Sequence, residues 1–226
     1  MTGQSAEIDW KDGVPVARRF DDPYFSLQDG LAETRHVFLS GNDLPARFGK
    51  DFQIGELGFG TGLNFLVTWA AWEAAGRPGR LTFTSFEAYP LTKAAMASAL
   101  MPFRQITPFA ERLLAGWQAG QRACELAPGL TLDVVIGDAR TSVPLWQGRA
   151  DAWYLDGFSP AKNPELWEPA LMRGVAAHTK SGGTAATYSA AGHVRRALEG
   201  AGFTVTRTQG FGRKRHMTQA RLSNAE

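Results

Sequence analysis

The 226-residue sequence is poor in the groups that cross-link or metallate a fold. Cys124 is its one cysteine, which excludes an internal disulfide and a cysteine-based zinc site. Among the four histidines, His178, His193 and His216 show no metal-ligand spacing. His36 lies between apolar neighbours and reads as a hydrogen-bonded structural residue, so no metal is expected. No apolar run approaches the roughly 20 residues needed to cross a bilayer. The first residues, with Glu7, Asp9 and Asp12, lack the basic and apolar regions of a signal peptide, so a cytoplasmic protein without membrane contact is expected. Net charge is scarce too. The 24 Lys and Arg against 22 Asp and Glu leave +2, which does not by itself announce a nucleic acid. Repeats, low-complexity segments, a Gly-x-Ser-x-Gly elbow and an activated cysteine are also missing.

What is present is an ordinary globular composition, 44% hydrophobic and 20% charged, at a length suited to one α/β domain. One stretch concentrates glycine: Glu56-Leu57-Gly58-Phe59-Gly60-Thr61-Gly62-Leu63-Asn64. Ahead of it, Phe52, Ile54 and Leu57 read as a short buried strand. Behind it, Leu63, Leu66, Val67, Ala70 and Ala74 fall on one face of a helix. A strand, a glycine loop and a helix make a nucleotide-binding turn, in which backbone N–H groups and the helix N-terminus favour an anionic group. The dinucleotide fingerprint G-x-G-x-x-G needs a third glycine where Leu63 stands, which disfavours an NAD-dependent oxidoreductase. The pattern Glu-x-Gly-x-Gly-x-Gly resembles motif I of the class I S-adenosylmethionine-dependent methyltransferases. That resemblance implies a Rossmann-like α/β fold, with a mostly parallel seven-stranded sheet and helices on both faces. It also implies that Gly58, Phe59, Gly60, Thr61, Gly62 and Asn64 wrap the amino-acid end of the cofactor. Their N–H groups would take its carboxylate, and Glu56 suits its ammonium.

Residues 1 to about 50 read as an N-terminal extension packing on the core, and residues 51–226 as the cofactor-binding domain. In the extension, Trp10, Val14, Val16 and Phe20 suit a hairpin around Asp12-Gly13. The aromatic and polar residues from Asp22 to Ser26 and from Gly30 to Leu39 suit a flap over a site or a packed edge element. In the core, Leu81 to Phe86 forms a second strand that delivers Glu87 beside the glycine loop, where it can accept both ribose hydroxyls. Thr92 opens a helix through Ala99. Thr107 is expected to cap another, with Pro108 at its first position. A polar connection around Gln118 to Glu125 follows. Leu130 to Ile136 is a third strand ending at Asp138 and Ala139, where the carboxylate can accept from an adenine amino group. The fourth strand, Ala152 to Leu155, ends in Asp156-Gly157-Phe158-Ser159-Pro160-Ala161-Lys162-Asn163-Pro164. There Asn163 caps a helix that begins at Pro164 and buries Leu166, Trp167, Ala170 and Leu171. Gly182-Gly183 leads to a strand through Tyr188. A helix lined by Val194, Ala197, Leu198 and Ala201 stops at Gly202, and strands at Phe203–Thr208 and from about His216 to Leu222 complete the chain. Glu56, Glu87, Asp138 and Asp156 thus stand at four strand ends, the arrangement expected for S-adenosylmethionine.

A closer resemblance rests on Tyr24-Phe25-Ser26, Gly30-Leu31-Ala32-Glu33-Thr34, Gly41-Asn42, the glycine loop, Asp156 to Pro164, and Gly210-Phe211-Gly212-Arg213-Lys214-Arg215-His216-Met217. Together these are similar to the methyltransferase family that completes 5-methylaminomethyl-2-thiouridine at the wobble position of transfer RNA. The family implies methyl transfer from S-adenosylmethionine to the primary amine of 5-aminomethyl-2-thiouridine in the anticodon loop. In many of its members this module precedes an FAD-dependent oxidase, so a separate oxidase or an upstream modification enzyme is an expected partner. A stand-alone form or an excised domain is the expectation for a chain ending at Glu226. An alkyl ammonium has a pKa of about 10.4 and an ordinary aspartate about 3.9. Asp156 is therefore expected to orient the amine, with water as the final proton acceptor. Tyr24 or Phe158 would stack on the base, and Lys162, Arg213, Lys214 and Arg215 are candidate phosphate contacts. Two rivals share these residues: a small-molecule amine methyltransferase, and a non-catalytic tRNA-binding module with a relict cofactor pocket.

Overall fold

The computed structural model describes residues 5–26, 29–118 and 123–223. The expected hairpin forms from β1 (Ile8–Lys11) and β2 (Val14–Ala17), with Lys11 opposite Val14. Its two loop residues, Asp12 at φ 50° and Gly13 at φ 78°, take the left-handed pair of a type I′ turn. A short β3 (Asp22–Pro23) completes a three-stranded sheet.

The segment that reads as a flap or an edge element is packed. The Asp29 side chain accepts from Ala32 N and caps α1 (Gly30–Thr34). The helical path continues through a π turn, Arg35–Leu39, and a 3-10 turn, Ser40–Asn42. Val37, Phe38 and Leu39 are buried, and Phe38 stacks on Tyr154 with ring centroids 5.1 Å apart.

The main sheet comprises β4 (Asp51–Leu57), β5 (Arg80–Glu87), β6 (Cys124–Ala127), β7 (Leu130–Ile136), β8 (Ala150–Leu155), β9 (Thr179–Thr187), β10 (Phe203–Gln209) and β11 (His216–Leu222). Their order is β10-β11-β9-β8-β4-β5-β7-β6. Strands β4, β5, β7, β8 and β9 pair in parallel, while β11 runs antiparallel between β9 and β10. The sheet has eight strands where seven are expected, and the extra one is β6, antiparallel on β7. A short edge strand with polar residues reads as a loop in sequence. Residues 119–122 of the expected connection lie outside the described residues.

One face of the sheet carries α1, α2 (Leu63–Ala74), α3 (Lys93–Leu100) and α4 (Thr107–Gly116). The other carries α5 (Ala139–Ser142), α6 (Pro169–Ala177) and α7 (Gly192–Gly200). Strand alternation divides the two cores: β8 sends Ala152 and Tyr154 to one and Trp153 and Leu155 to the other. Each large apolar side chain so buried contributes about 1.5–3 kcal/mol. Helix α2 is buried without a break from Leu63 to Trp69, because helices cover its outer side, whereas Ala74 is exposed.

Local details depart from expectation at two of three caps. Thr92 caps α3 as expected. Thr107 instead lies within a helical turn and makes no cap bond, since the 3-10 turn Arg104–Ile106 runs straight into α4. Asn163 holds an N-cap position without a side-chain bond, ahead of a 3-10 turn, Pro164–Trp167, and Ala170 is exposed. Gly182 and Gly183 lie inside β9, where its pairing with β8 shifts register. No helix among the described residues is long and apolar enough to cross a membrane.

Candidate active site

Beyond the carboxyl ends of β4, β5, β7 and β8 opens a cavity of about 1350 Å³. A pocket for one small ligand occupies roughly 300–1,000 Å³, so this one has room for two. Gly58, Phe59, Gly60, Thr61, Asn64, Glu87, Asp138, Ala139 and Asp156 line it, as do Tyr24, Phe158, Lys162, Arg213 and Lys214. Glu56, Gly62 and Arg215 are not in its wall.

The glycine loop closes on the protein itself. Gly58 N donates to Phe86 O at 2.9 Å, Gly62 N to Phe59 O at 2.9 Å, and Gly60 N to Glu87 Oε2 at 2.9 Å. Those amides are therefore not the free donors for a ligand carboxylate that the motif suggests. The glycines serve close approach instead. Gly58 has φ +86°, and a Cβ there would stand 2.6 Å from the Asp156 carbonyl oxygen. At Gly60 a Cβ would meet the Tyr24 ring at 3.0 Å.

Glu56 is buried behind the loop at 1% exposure. Its carboxyl accepts from Asn64 Nδ2 at 2.9 Å and from Ser85 Oγ at 2.6 Å. Burial above all, with the carboxylates of Asp156 and Glu87 adding, pushes its pKa up to about 8. Glu56 therefore anchors Asn64 and does not face the cavity, as its expected contact with a cofactor ammonium requires. The same Asn64 amide donates to Asp156 Oδ2 at 2.7 Å, and Asn64 Oδ1 accepts from Thr34 Oγ1 at 3.0 Å. One side chain in the first turn of α2 thus fixes the carboxylate at the end of β8.

Asp156 is half-buried at that strand end, and it is not an ordinary aspartate. Burial raises its pKa to about 7 against the Asn64 hydrogen bond; Glu33 raises it further and Lys214 opposes. The premise that this carboxylate is too weak a base is corrected by its surroundings. Glu87 accepts from Gly60 N at 2.9 Å and from Tyr89 N at 2.7 Å, and burial outweighs these and the backbone amides of Phe59 and Ala88 to raise its pKa. Glu87 lines the cavity at the end of β5, where a ribose is expected, with its carboxyl already turned toward backbone amides. Asp138 caps α5 through Arg140 N at 2.9 Å and pairs with the Arg140 guanidinium at 2.6 Å, which holds its carboxyl below the usual range. An adenine amino group there would share that carboxylate with Arg140.

The fourth-strand loop is clamped by the N-terminal sheet. Phe158 stacks on Phe20 at 4.7 Å and meets Tyr24 edge-on at 5.2 Å. Ser159 N donates to Asp22 Oδ2 at 2.7 Å. Lys162 pairs with Asp21 at 3.3 Å and Asp22 at 3.7 Å, so it ties this clamp together, where the sequence suggests a phosphate contact. Lys214 is likewise paired, with Glu33 at 2.9 Å, and lies 3.9 Å above the Tyr188 ring centroid. Arg213 and Arg215 are exposed and have no ion pair among the described residues. His36 fulfils its structural reading through a 2.9 Å contact with Gln209 O. Thr34, Ser85, Glu33, Phe20, Asp22 and Tyr188 also build the site, although the sequence marks none of them individually as a site residue. Tyr188 had a usable signal, because it directly follows β9 and strand ends carry function in this architecture.

A family model described as S-adenosyl-L-methionine-dependent methyltransferase matches residues 104–223, just over half of the chain. The chain belongs to that family. Its cofactor, S-adenosyl-L-methionine, carries a cationic sulfonium and ammonium, which suits a cavity with crowded glycines at one wall and the carboxyl groups of Glu87 and Asp156 in its lining. The chain is 44% identical over 228 residues to the tRNA 5-methylaminomethyl-2-thiouridine biosynthesis bifunctional protein MnmC of Chromobacterium violaceum, covering 96% of this chain and 34% of that protein. It is 47% identical over 216 residues to the protein of the same description from Ralstonia nicotianae, covering 92% and 33%. The chain therefore spans about a third of the length of these bifunctional relatives. The crystal structure of MnmC2 from Aquifex aeolicus superposes with a TM-score of 0.75 at 26% identity, covering 100% of this chain and 74% of that one. The family match begins after the glycine loop, whereas the similarity to the relatives extends over nearly the whole chain.

Proposed function

We propose that this chain methylates the primary amine of 5-aminomethyl-2-thiouridine at the wobble position of transfer RNA, giving 5-methylaminomethyl-2-thiouridine. The observation that carries the reading is Asp156, a half-buried carboxylate held by Asn64 at 2.7 Å and raised to about 7 in a cavity with room for a second ligand. The names of the bifunctional relatives supply the substrate class.

S-adenosyl-L-methionine, when bound, supplies the methyl on its sulfonium and leaves as S-adenosylhomocysteine. The methyl–sulfur bond breaks as the nitrogen–carbon bond forms, and the amine gives up one proton. Ionised Asp156 holds the incoming ammonium and accepts that proton, later passing it to water. In the free protein, at about 7, it stands roughly halfway between an ordinary aspartate and an alkyl ammonium near 10.4, and the sulfonium beside the amine lowers the ammonium's own pKa. Alignment by Asn64 supports the step, since well-oriented reactants gain on the order of 7–11 kcal/mol. The wobble base lies in a single-stranded loop and can stack on an aromatic ring, for which Phe158, already seated on Phe20, is our candidate. Arg213 and Arg215 are candidate phosphate contacts. An oxidase that uncovers the aminomethyl group is the partner this substrate calls for, in keeping with the bifunctional relatives.

Incubation with labelled S-adenosyl-L-methionine and tRNA that carries 5-aminomethyl-2-thiouridine should place label in 5-methylaminomethyl-2-thiouridine. No label there overturns the proposal. Equal turnover of the free nucleoside would favour the small-molecule reading.

A further inference from the structure

One ammonium group already sits in this cavity. Lys214 Nζ lies 2.9 Å from Glu33 Oε1 and 3.9 Å from the Tyr188 ring centroid. Its two partners are built into the fold. Glu33 projects from α1 with a side chain only 13% exposed. The Tyr188 hydroxyl donates to Gly157 O at 2.6 Å, beside Asp156. Lys214, by contrast, belongs to the exposed turn between β10 and β11, with a side chain 46% exposed. Receptor and occupant therefore differ in burial.

A carboxylate and an aromatic face are the two groups that recognise an alkylammonium. A lysine and an aminomethyl uridine present the same head, a primary ammonium on a methylene. Exchanging one monocation for the other leaves the charge of the site unchanged and never leaves Glu33 unpaired, the costly alternative for a largely buried carboxylate. Both members of the pair act electrostatically on Asp156, with Glu33 raising its pKa and Lys214 lowering it. The pair thus shares the cavity with the proton acceptor without being bonded to it.

We propose that Glu33 and the ring face of Tyr188 form the subsite that first recognises the substrate's primary ammonium before it passes to Asp156, and that Lys214 is its internal occupant, displaced when the aminomethyl uridine enters. The inference rests on the proposed function and names the residues that distinguish aminomethyl uridine from plain uridine.

The test compares dissociation constants for two tRNAs with S-adenosylhomocysteine present, one bearing 5-aminomethyl-2-thiouridine and one bearing 2-thiouridine. The wild-type protein should prefer the first. Glu33→Gln should shrink that preference by about tenfold, the value of one charge-assisted contact. Lys214→Met should widen it, because the competitor is gone. Tyr188→Leu should also shrink the preference while Tyr188→Phe keeps it, which preserves the test if Glu33→Gln misfolds. Equal weakening of both tRNAs by Glu33→Gln and Lys214→Met would make the pair a structural strap and overturn the proposal. A loss of S-adenosyl-L-methionine affinity in Glu33→Gln with the tRNA preference intact would assign the subsite to the cofactor's own ammonium and overturn it too. If the wild-type protein methylates aminomethyl tRNA and Glu33→Gln leaves the preference intact, the subsite alone fails. If the wild type transfers no methyl, the proposed function fails and the subsite falls with it.

Discussion

Asn64 holds two carboxyl groups with one amide, and the two differ in what they need. Glu56, walled in by Ser85 and Asn64, is neutral at pH 7, with a pKa raised by burial to about 8 from an ordinary 4.5. A carboxyl whose folded pKa is raised contributes stability that is full below its unfolded value and lost as pH rises through its folded value. Glu56 should therefore erode stability between about pH 4.5 and 8. Gln is the isostere of the protonated acid, so Glu56→Gln should melt with a flatter pH dependence across that window. Parallel melting curves for the two proteins would show that Glu56 does not titrate there. Asp156 titrates lower, at about 7, and faces the cavity. In the free enzyme kcat/KM should rise with unit slope below about pH 7 and level off until the amine titrates near 10.4. The limb in kcat should fall at lower pH, because bound cations favour the ionised carboxylate. Asp156→Asn should lose at least about a hundredfold in kcat, the usual scale of proton transfer by a positioned group. It should also lose the limb near 7. A variant that retains that limb would rule out Asp156 as its source.

Elements carry the next layer. Strands β4, β5, β7 and β8 were legible because their apolar residues recur as buried strands do, and the Asp12-Gly13 turn because only a few dipeptides suit its backbone. Strand β6 was not legible, since polar edge residues carry no such pattern. The π turn after α1 has no signature of its own, and its burial is a tertiary outcome. The glycine loop was legible as a site but misleading in detail. Its glycines were assigned to ligand binding, yet Gly58 is required by the backbone of β8 passing alongside. Gly58→Ala combines a left-handed φ of +86° with a 2.6 Å approach to Asp156 O. Strain of this kind costs on the order of 1–3 kcal/mol, and here relief must come by moving the Asp156 strand end. Calorimetric titration should show at least a tenfold loss of S-adenosyl-L-methionine affinity along with a lower melting temperature. Unchanged affinity would mean that the loop tolerates a side chain and that the crowding is not functional.

At the scale of the whole molecule, the site is closed by contacts that sequence hides through distance along the chain. Lys162 meets Asp21 from 141 residues away, and Lys214 meets Glu33 across 181. Nothing local marks either lysine as paired, so both read as free cations available to phosphate. Once they are assigned inward, the basic run at the β10–β11 turn is reduced to Arg213 and Arg215, exposed and unpaired among the described residues. The two classes should separate experimentally. Each arginine that neutralises a phosphate contributes about 0.7–0.9 to the slope of log K against log salt. Arg213→Ala with Arg215→Ala should therefore flatten the tRNA salt dependence by roughly 1.5 and weaken binding of modified and unmodified tRNA alike. Its melting temperature should stay put, since neither side chain supports the fold. Lys162→Met should do the reverse, lowering the melting temperature slightly by loosening the loop from the N-terminal sheet while leaving the salt slope intact. A double arginine variant with an unaltered slope would move the nucleic-acid contact to another face of the molecule. The cavity would then be reached by a base whose backbone is held elsewhere.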